Sequence, residues 1–399
     1  MFQMIFPKKS SPLKCIYCAV MASIFAMVLT SCTANMERVG SFVGGGQPTA
    51  QATPAVSVTG DPNTFASAGS TGGSGTTAGS TAGGSTGGST AGSTSGTTAG
   101  ATGGTTGAPA PAPVGTAIST AAELASMSLS GTYYLLNDID LAGVSIALGS
   151  FSGTLDGRGF SIKNFTQTNQ CTNKSTGLFA ELAGGTIKNL KMDNCNITSN
   201  CQHIGCLVGN AVSGSITHSS VQNGLVTCTG DVNGNTAWAC GGLIGGLSAA
   251  TTVEFDWADI TVNGGQTYAT GGLVGGEPSG SGGIAFSISN SFALGNVTGQ
   301  WLVGGLTGGL GGGGSTVTLT NCFAAGQVQI GGNWGTFGGG GLIGHASTCT
   351  ANNAYYNSDL NSQSACGQGL SVSQFTGSSS FVGWDPAVWD FSGAMPTLQ

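Results

Sequence analysis

Charge is what this 399-residue sequence has least of: Asp, Glu, Lys and Arg together make up 6% of it. Beyond Lys191 there is neither lysine nor arginine, while acidic residues continue to Asp390. Nucleic-acid binding draws its affinity from Lys and Arg against phosphates, so nucleic acid is not expected as a partner. The same absence removes a cationic site for acidic substrates from that half, and the Arg or Lys base that a pectate-type lyase would want. The glycine runs Gly308–Gly314 and Gly338–Gly341 lack the lysine of a phosphate loop. No Cys-x-x-Cys or Cys/His metal spacing occurs in the mature region, so neither metal nor cofactor is expected. No Ser-His-Asp arrangement is visible.

Glycine is what the chain has in excess, at 73 residues. With Ser, Thr, Asn and Val it favours turns and short strands. A small motif recurs: GGLIG at Gly241–Gly245, GGLVG at Gly271–Gly275, GGLTG at Gly304–Gly308 and GGLIG at Gly340–Gly344. Degenerate copies stand at Gly205–Gly209 and Thr176–Ala180. The central residues Leu178, Leu207, Leu243, Leu273, Leu306 and Leu342 recur every 29 to 36 residues. A fixed motif at such a period marks a repeat architecture.

Residues 1–31 read as a secretory signal, with Lys8, Lys9 and Lys14 before an apolar run from Cys15 to Leu29. The run ends in Leu29-Thr30-Ser31-Cys32, which resembles the lipobox of bacterial lipoproteins. The resemblance implies cleavage before Cys32 and acylation there, giving a stable membrane anchor. Thr33 is compatible with sorting to a Gram-negative outer membrane, so a surface-exposed location is expected. Residues 32–115 are rich in Gly, Ser, Thr and Pro and cannot bury a core. They read as a disordered tether with a root-mean-square span of roughly 50 Å.

The folded domain is expected over residues 116–399. Ser119–Leu124 fits one short helix with an N-cap hydroxyl, placed across the first coil. Beyond this helix the chain alternates apolar with polar and breaks at Gly, Asn or Asp, as in Phe151–Gly157 with its Asp156-Gly157 turn. After each glycine-leucine motif come segments such as Thr186–Leu190, Ser215–Ser219, Ser287–Ser291 and Thr318–Cys322. Three short strands per repeat predict an all-β, right-handed parallel β-helix, a solenoid. The motif leucines would form one inward column and the Ile or Leu of each I-x-N or L-x-N segment another. Corner glycines would supply backbone conformations that other residues find costly. A β-propeller is disfavoured because its blades are longer and no Trp-Asp or kelch signature recurs.

The segments Ile288–Val297 and Leu319–Val328, each after a glycine-leucine motif, resemble the GLUG repeat of bacterial surface proteins. The resemblance extends over about residues 117–399, to a closing segment with Ala354–Ser358, Trp384-Asp385 and Trp389-Asp390-Phe391 read as a C-terminal cap. Such repeats occur in adhesin-like proteins and beside protease domains, so the resemblance implies a surface scaffold rather than one reaction.

Nine cysteines fall in the folded region, an odd count that leaves at least one thiol free. Cys195 and Cys322, each after an Asn, read as buried and unpaired. Cys349 and Cys366 flank a polar loop and form a candidate disulfide. Cys201, Cys206, Cys228 and Cys240 are expected to hold one or two bridges among themselves.

One acidic cluster stands out: Glu254, Asp256 and Asp259, with Trp257 among them. Strand alternation would put Glu254 and Asp256 on one outward face. Such a cluster could bind Ca²⁺, stack a sugar on Trp257, or simply be a solvated strand edge. His203, His218 and His345 read as structural. Two functions are compatible with these features. The first is a lipid-anchored, non-enzymatic adhesion and display module, partnered by the membrane and by a host or neighbouring-cell glycan or protein. The second is a polysaccharide-active β-helical enzyme using the acid pair. The variable stretches 210–214, 246–252, 276–283, 309–315 and 331–339 are expected to be the binding loops.

Overall fold

A computed structural model of the chain describes residues 112–169, 171–230, 238–247, 251–277, 285–310, 316–331 and 339–399. The expected signal, Cys32 and the expected tether up to residue 111 lie outside these. The first described elements are a strand, Thr116–Ile118, and a helix, Ala121–Ala125. Thr120 caps the helix: its hydroxyl accepts from Glu123 N at 3.2 Å, and Glu123 Oε2 accepts from Thr120 N at 3.0 Å. This reciprocal box satisfies amides that the first helical turn cannot. The helix seats Leu124, fully buried, in the core near the N-terminal end.

From Thr132 to Leu370 the described residues form a parallel β-helix. One extended sheet of 25 strands wraps the coils, and a narrow sheet of six closes them. The narrow sheet stacks Ser175–Thr176, His203–Ile204, Ala239–Gly241, Ala269–Gly271, Leu302–Gly304 and Gly339–Gly340. Pairing between these coil strands is parallel; the strand pair that runs antiparallel is Trp389–Asp390 with Thr397–Leu398. Both predicted columns are present. The six motif leucines are fully buried, and each of the first five connects to the following coil through backbone bonds of 2.9–3.0 Å. Ile187, Ile216, Val253, Ile288 and Leu319 stack in register as the second column, all buried.

The corners differ from expectation in which residue turns the chain. None of the motif glycines in the four full copies has a positive φ. They are glycines because backbones touch there. A Cβ on Gly271 would fall inside the Val274 carbonyl oxygen and 2.7 Å from Gly308 N. The left-handed conformation is taken instead by one column of Asn189, His218, Phe255, Asn290, Asn321 and Asn353, with φ between 46° and 58°. Asn and His tolerate this region and Phe does so at a cost. The asparagines hydrogen-bond from coil to coil: Asn353 Nδ2 donates to Asn321 Oδ1 at 3.3 Å, and Asn321 Nδ2 to Asn290 Oδ1 at 3.2 Å. Where the ladder lacks asparagine, His218 and Phe255 stack with ring centroids 4.4 Å apart. A second corner repeats the device with Asn164, Asn194 and Asn223.

The two corners also correct the expectation for the cysteines. Asn194-Cys195 belongs to the second corner and Asn321-Cys322 to the first, so the two cysteines occupy different columns. Cys195 is bonded to Cys206 through the interior. Cys322 is the free thiol, fully buried, with burial raising its pKa to about 12. Cys171 pairs with Cys201, Cys228 with Cys240, and Cys349 with Cys366. One bridge therefore lies within the group Cys201, Cys206, Cys228 and Cys240, and its other two members bond outside it. The stretch 210–214 is also no loop: it lies within the strand Val208–Thr217, whose pairing with Phe179–Lys188 is irregular on both sides of Ser213 and returns to register at Gly214. Most of the remaining variable loops (248–250, 278–283, 311–315 and 332–338) fall outside the described residues.

His203 sits in the narrow sheet between Ser175 and Ala239, 7% exposed, with Nδ1 3.2 Å from Ser175 Oγ. Burial lowers its pKa from 6.5 to about 4, and Lys174 adds to the effect. A depressed folded pKa contributes stability above pH 6.5 that is lost as pH falls toward 4. The unfolding free energy should therefore drop by about 2–3 kcal/mol between pH 7.5 and 4.5 through this group alone. Buried Asp256, whose pKa is raised, acts in the opposite sense. Denaturant titrations of the wild type and His203→Gln at both pH values isolate the histidine: the variant should lose that part of the slope.

Candidate functional site

The acidic cluster does not form the outward pair that alternation predicts. Phe255, at φ 58°, turns the chain between Glu254 and Asp256 and so breaks the two-residue period. Asp256 points inward and is fully buried, in register with the small residues Ser219 and Ser291. Its carboxylate accepts Ser219 N at 2.7 Å and Glu254 N at 3.1 Å. Desolvation nonetheless holds its pKa well above the usual carboxylate range. Glu254 is half-buried and takes the Asn290 side-chain amide at 3.5 Å, filling the gap that Phe255 leaves in the ladder. Asp259 is exposed in a separate shallow depression with Asn223 and Asn296. Among the described residues no three His, Cys, Asp or Glu side chains converge as an ion site. Glu254 and Asp256 therefore do not share the outward face that the acid-pair reading requires.

Trp257 is the member of the cluster that reaches a cleft. It heads an outer column with Phe292, Phe323 and Tyr355, one residue per coil. Trp257 and Phe292 stack at 5.7 Å with planes 2° apart, and Phe292 and Phe323 at 4.9 Å and 7°. An exposed ladder of this kind would be an aggregation hazard. The C-terminal segment covers it. Phe375, Phe381, Trp384 and Trp389 are all buried against Phe292, Phe323 and Tyr355, forming a second hydrophobic core outside the coils. The Trp-Asp segment expected as an end cap thus lies along a side wall. Nothing in the linear order marks this wall, because the column's members sit 31 to 35 residues apart and align only once the coils stack.

The cover stops at Trp257. Going toward the N-terminus, the column continues as Ser220 and then Lys191. Over the small Ser220 opens a cleft of about 440 Å³, lined by Lys191, His218, Ser220, Phe255 and Trp257 from the coils. Ala387, Val388, Leu398 and Gln399 line it from the C-terminal segment. One wall is aromatic, and polar groups stand at the rim. Concave sites that set placed polar groups beside an apolar wall are where small ligands bind. His218, expected to be structural only, both extends the corner ladder and lines the cleft. The sequence points to the variable loops rather than to this wall because length variation is visible in a sequence and lateral register is not.

The geometry defines a β-solenoid with one covered lateral face and a cleft where the cover ends. No family model matches the chain. It is similar in structure to a Bacteroides ovatus protein provisionally described as an immunoglobulin A1 protease, with a TM-score of 0.52. That likeness covers 71% of this chain and 94% of the other at 19% identity, and so speaks to the fold alone. In sequence it is similar to Halomucin of Haloquadratum walsbyi, 37% identical over 101 residues. The match takes in 25% of this chain and only 1% of that protein's length.

Proposed function

We propose that this chain is an exported, lipid-anchored surface protein of GLUG-repeat type, whose solenoid serves as a non-enzymatic adhesion and display module. The observation that carries the reading is the open cleft beside Trp257, whose lining includes no carboxylate side chain while neighbouring Asp256 is buried against backbone amides. An aromatic wall with no acid pair facing it suits retention of a ligand rather than its cleavage. The lipobox Leu29–Cys32 would fix the chain to the membrane, and the 32–115 tether would carry the domain outward. The test uses the full chain in its own cell envelope. Wild type should incorporate labelled fatty acid, fractionate with the outer membrane, and be shaved by external protease. Cys32→Ser should lose the label and leave the membrane. Cells carrying the wild type should adhere to glycan- or matrix-coated surfaces better than cells carrying Cys32→Ser. Unlabelled wild type, or equal adhesion by both, would contradict the proposal.

A further inference from the structure

The cleft has a chemistry of its own that narrows the ligand. Among the described residues the ring stacked on Trp257 is Phe292. On its other side the column offers Ser220, whose short side chain is almost fully buried. One face of the indole is therefore turned toward empty space rather than toward the next ring. The next member after Ser220 is Lys191, two strands away, which places its backbone about 10 Å from that of Trp257. Both side chains line the cleft of about 440 Å³. Lys191 is exposed and has no ion-pair partner among the described residues, whereas Lys163 and Lys188 are paired with Asp138 and Asp156. It is also the last cation of the chain, in a protein of net charge −7. Asp138, which pairs with Lys163, also attracts the Lys191 ammonium, and folding sets that ammonium beside an aromatic wall that sequence order keeps 66 residues away.

We infer that this cleft binds an acidic saccharide, with a sugar ring on Trp257 and its carboxylate on Lys191. The flat C–H face of a pyranose is apolar and carries slight positive charge, which suits the negative face of an indole. Its hydroxyl groups meet the rim, where His218 and Gln399 offer polar atoms. A carboxylate on the ring finds the unpaired ammonium of Lys191, whose attraction weakens with salt because the group is solvent-exposed. A neutral sugar would use the wall and leave the ammonium unmatched, and a peptide would offer a comparable C–H face only at proline, which carries no carboxylate on its ring. The inference deepens the adhesion reading by naming the class of ligand, and it rests on that reading only for its biological use.

The experiment is a binding series with the full chain in detergent. The probes are polygalacturonate, hyaluronan and sialylated oligosaccharides, each with a neutral counterpart of matched size. Wild type should bind at least one acidic probe about tenfold more tightly than its neutral counterpart, and more weakly as salt rises. Lys191→Gln, a change at an exposed site, should abolish the preference by lowering acidic binding to the level of the neutral counterpart. Trp257→Ala should weaken both kinds of binding tenfold or more, with its unfolding midpoint recorded alongside. Preference unchanged in Lys191→Gln overturns the inference, as does full binding by a folded Trp257→Ala. Failure of the wild type to bind any acidic probe overturns it too; adhesion of cells to matrix protein would then leave the broader reading standing. Sialylated probes alone would point to a host-type glycan, and uronate polymers alone to a plant or microbial polysaccharide.

Discussion

Trp389→Ala should lower the stability of the covered face by about 3–5 kcal/mol, the usual range for emptying a buried tryptophan site. Trp389 is 1% exposed, with its ring centroid 4.2 Å from Trp384, 6.0 Å from Phe292 and 6.2 Å from Phe323. It therefore joins the C-terminal segment to two coils at once. Its loss should free residues 371–399 before the coils themselves melt, because the interior columns do not depend on it. Limited proteolysis should show early cleavage in that segment. Dye binding should rise as Phe292, Phe323 and Tyr355 come into contact with water. Unchanged protease resistance would mean that the segment is held by something other than its aromatic anchors.

Gly271→Ala should cost about 3 kcal/mol, the upper end of the range for overpacking. The added methyl meets Val274 O, Gly308 N and Thr307 Cα, all main-chain atoms, so no side chain can swing away. The stack must open between the coils carrying the Gly271–Gly275 and Gly304–Gly308 motifs. Gly149→Ala is the control: its methyl would lie 3.2 Å from the end of the Leu129 side chain, which can yield, and its φ is not in the left-handed region. Urea midpoints of the two variants should differ widely, with Gly149→Ala close to wild type. A small effect at Gly271 would show that the coils can separate there at little cost.

These two results probe the parts of the fold that are least and most legible in the sequence. The glycine-leucine motif announces the repeat, and with it the parallel β-helix and both inward columns, because burial imposes the same residue type at the same place in each coil. The cause of the glycines is not legible: a sequence shows that a side chain is missing, not whether φ or a neighbouring backbone forbids it. The corner column is half visible. Asn189, Asn290, Asn321 and Asn353 mark it, but His218 and Phe255 occupy the same position without resembling asparagine. Strand alternation carried through Phe255 puts Asp256 on the wrong face and makes an acid pair of two carboxylates that share no outward face.

The cleft is hidden for a different reason. Its coil residues come from three successive turns and its other wall from the last dozen or so residues of the chain, so no window of sequence contains it. Of its lining, only Trp257 stands out as a candidate ligand contact in the linear order. The pairing of Lys191 with Ser220 and of Ser220 with Trp257 is a property of coil stacking, which sequence periodicity sets only approximately when repeat length varies from 29 to 36 residues. Length variation itself draws the eye to loops, whereas the lateral face keeps a constant register and so leaves no mark.

Amide hydrogen exchange on the full chain, with and without saturating polygalacturonate or whichever acidic glycan binds, tests the central claim most directly. Exchange reports local opening segment by segment, so a ligand that tightens the cleft should be seen where it sits. Slowed exchange is predicted around Lys191, across His218–Ser220 and Phe255–Trp257, and in the closing stretch from Ala387 to Gln399. Protection confined to the variable loops, with these four segments unchanged, would contradict it and move the binding surface off the cleft.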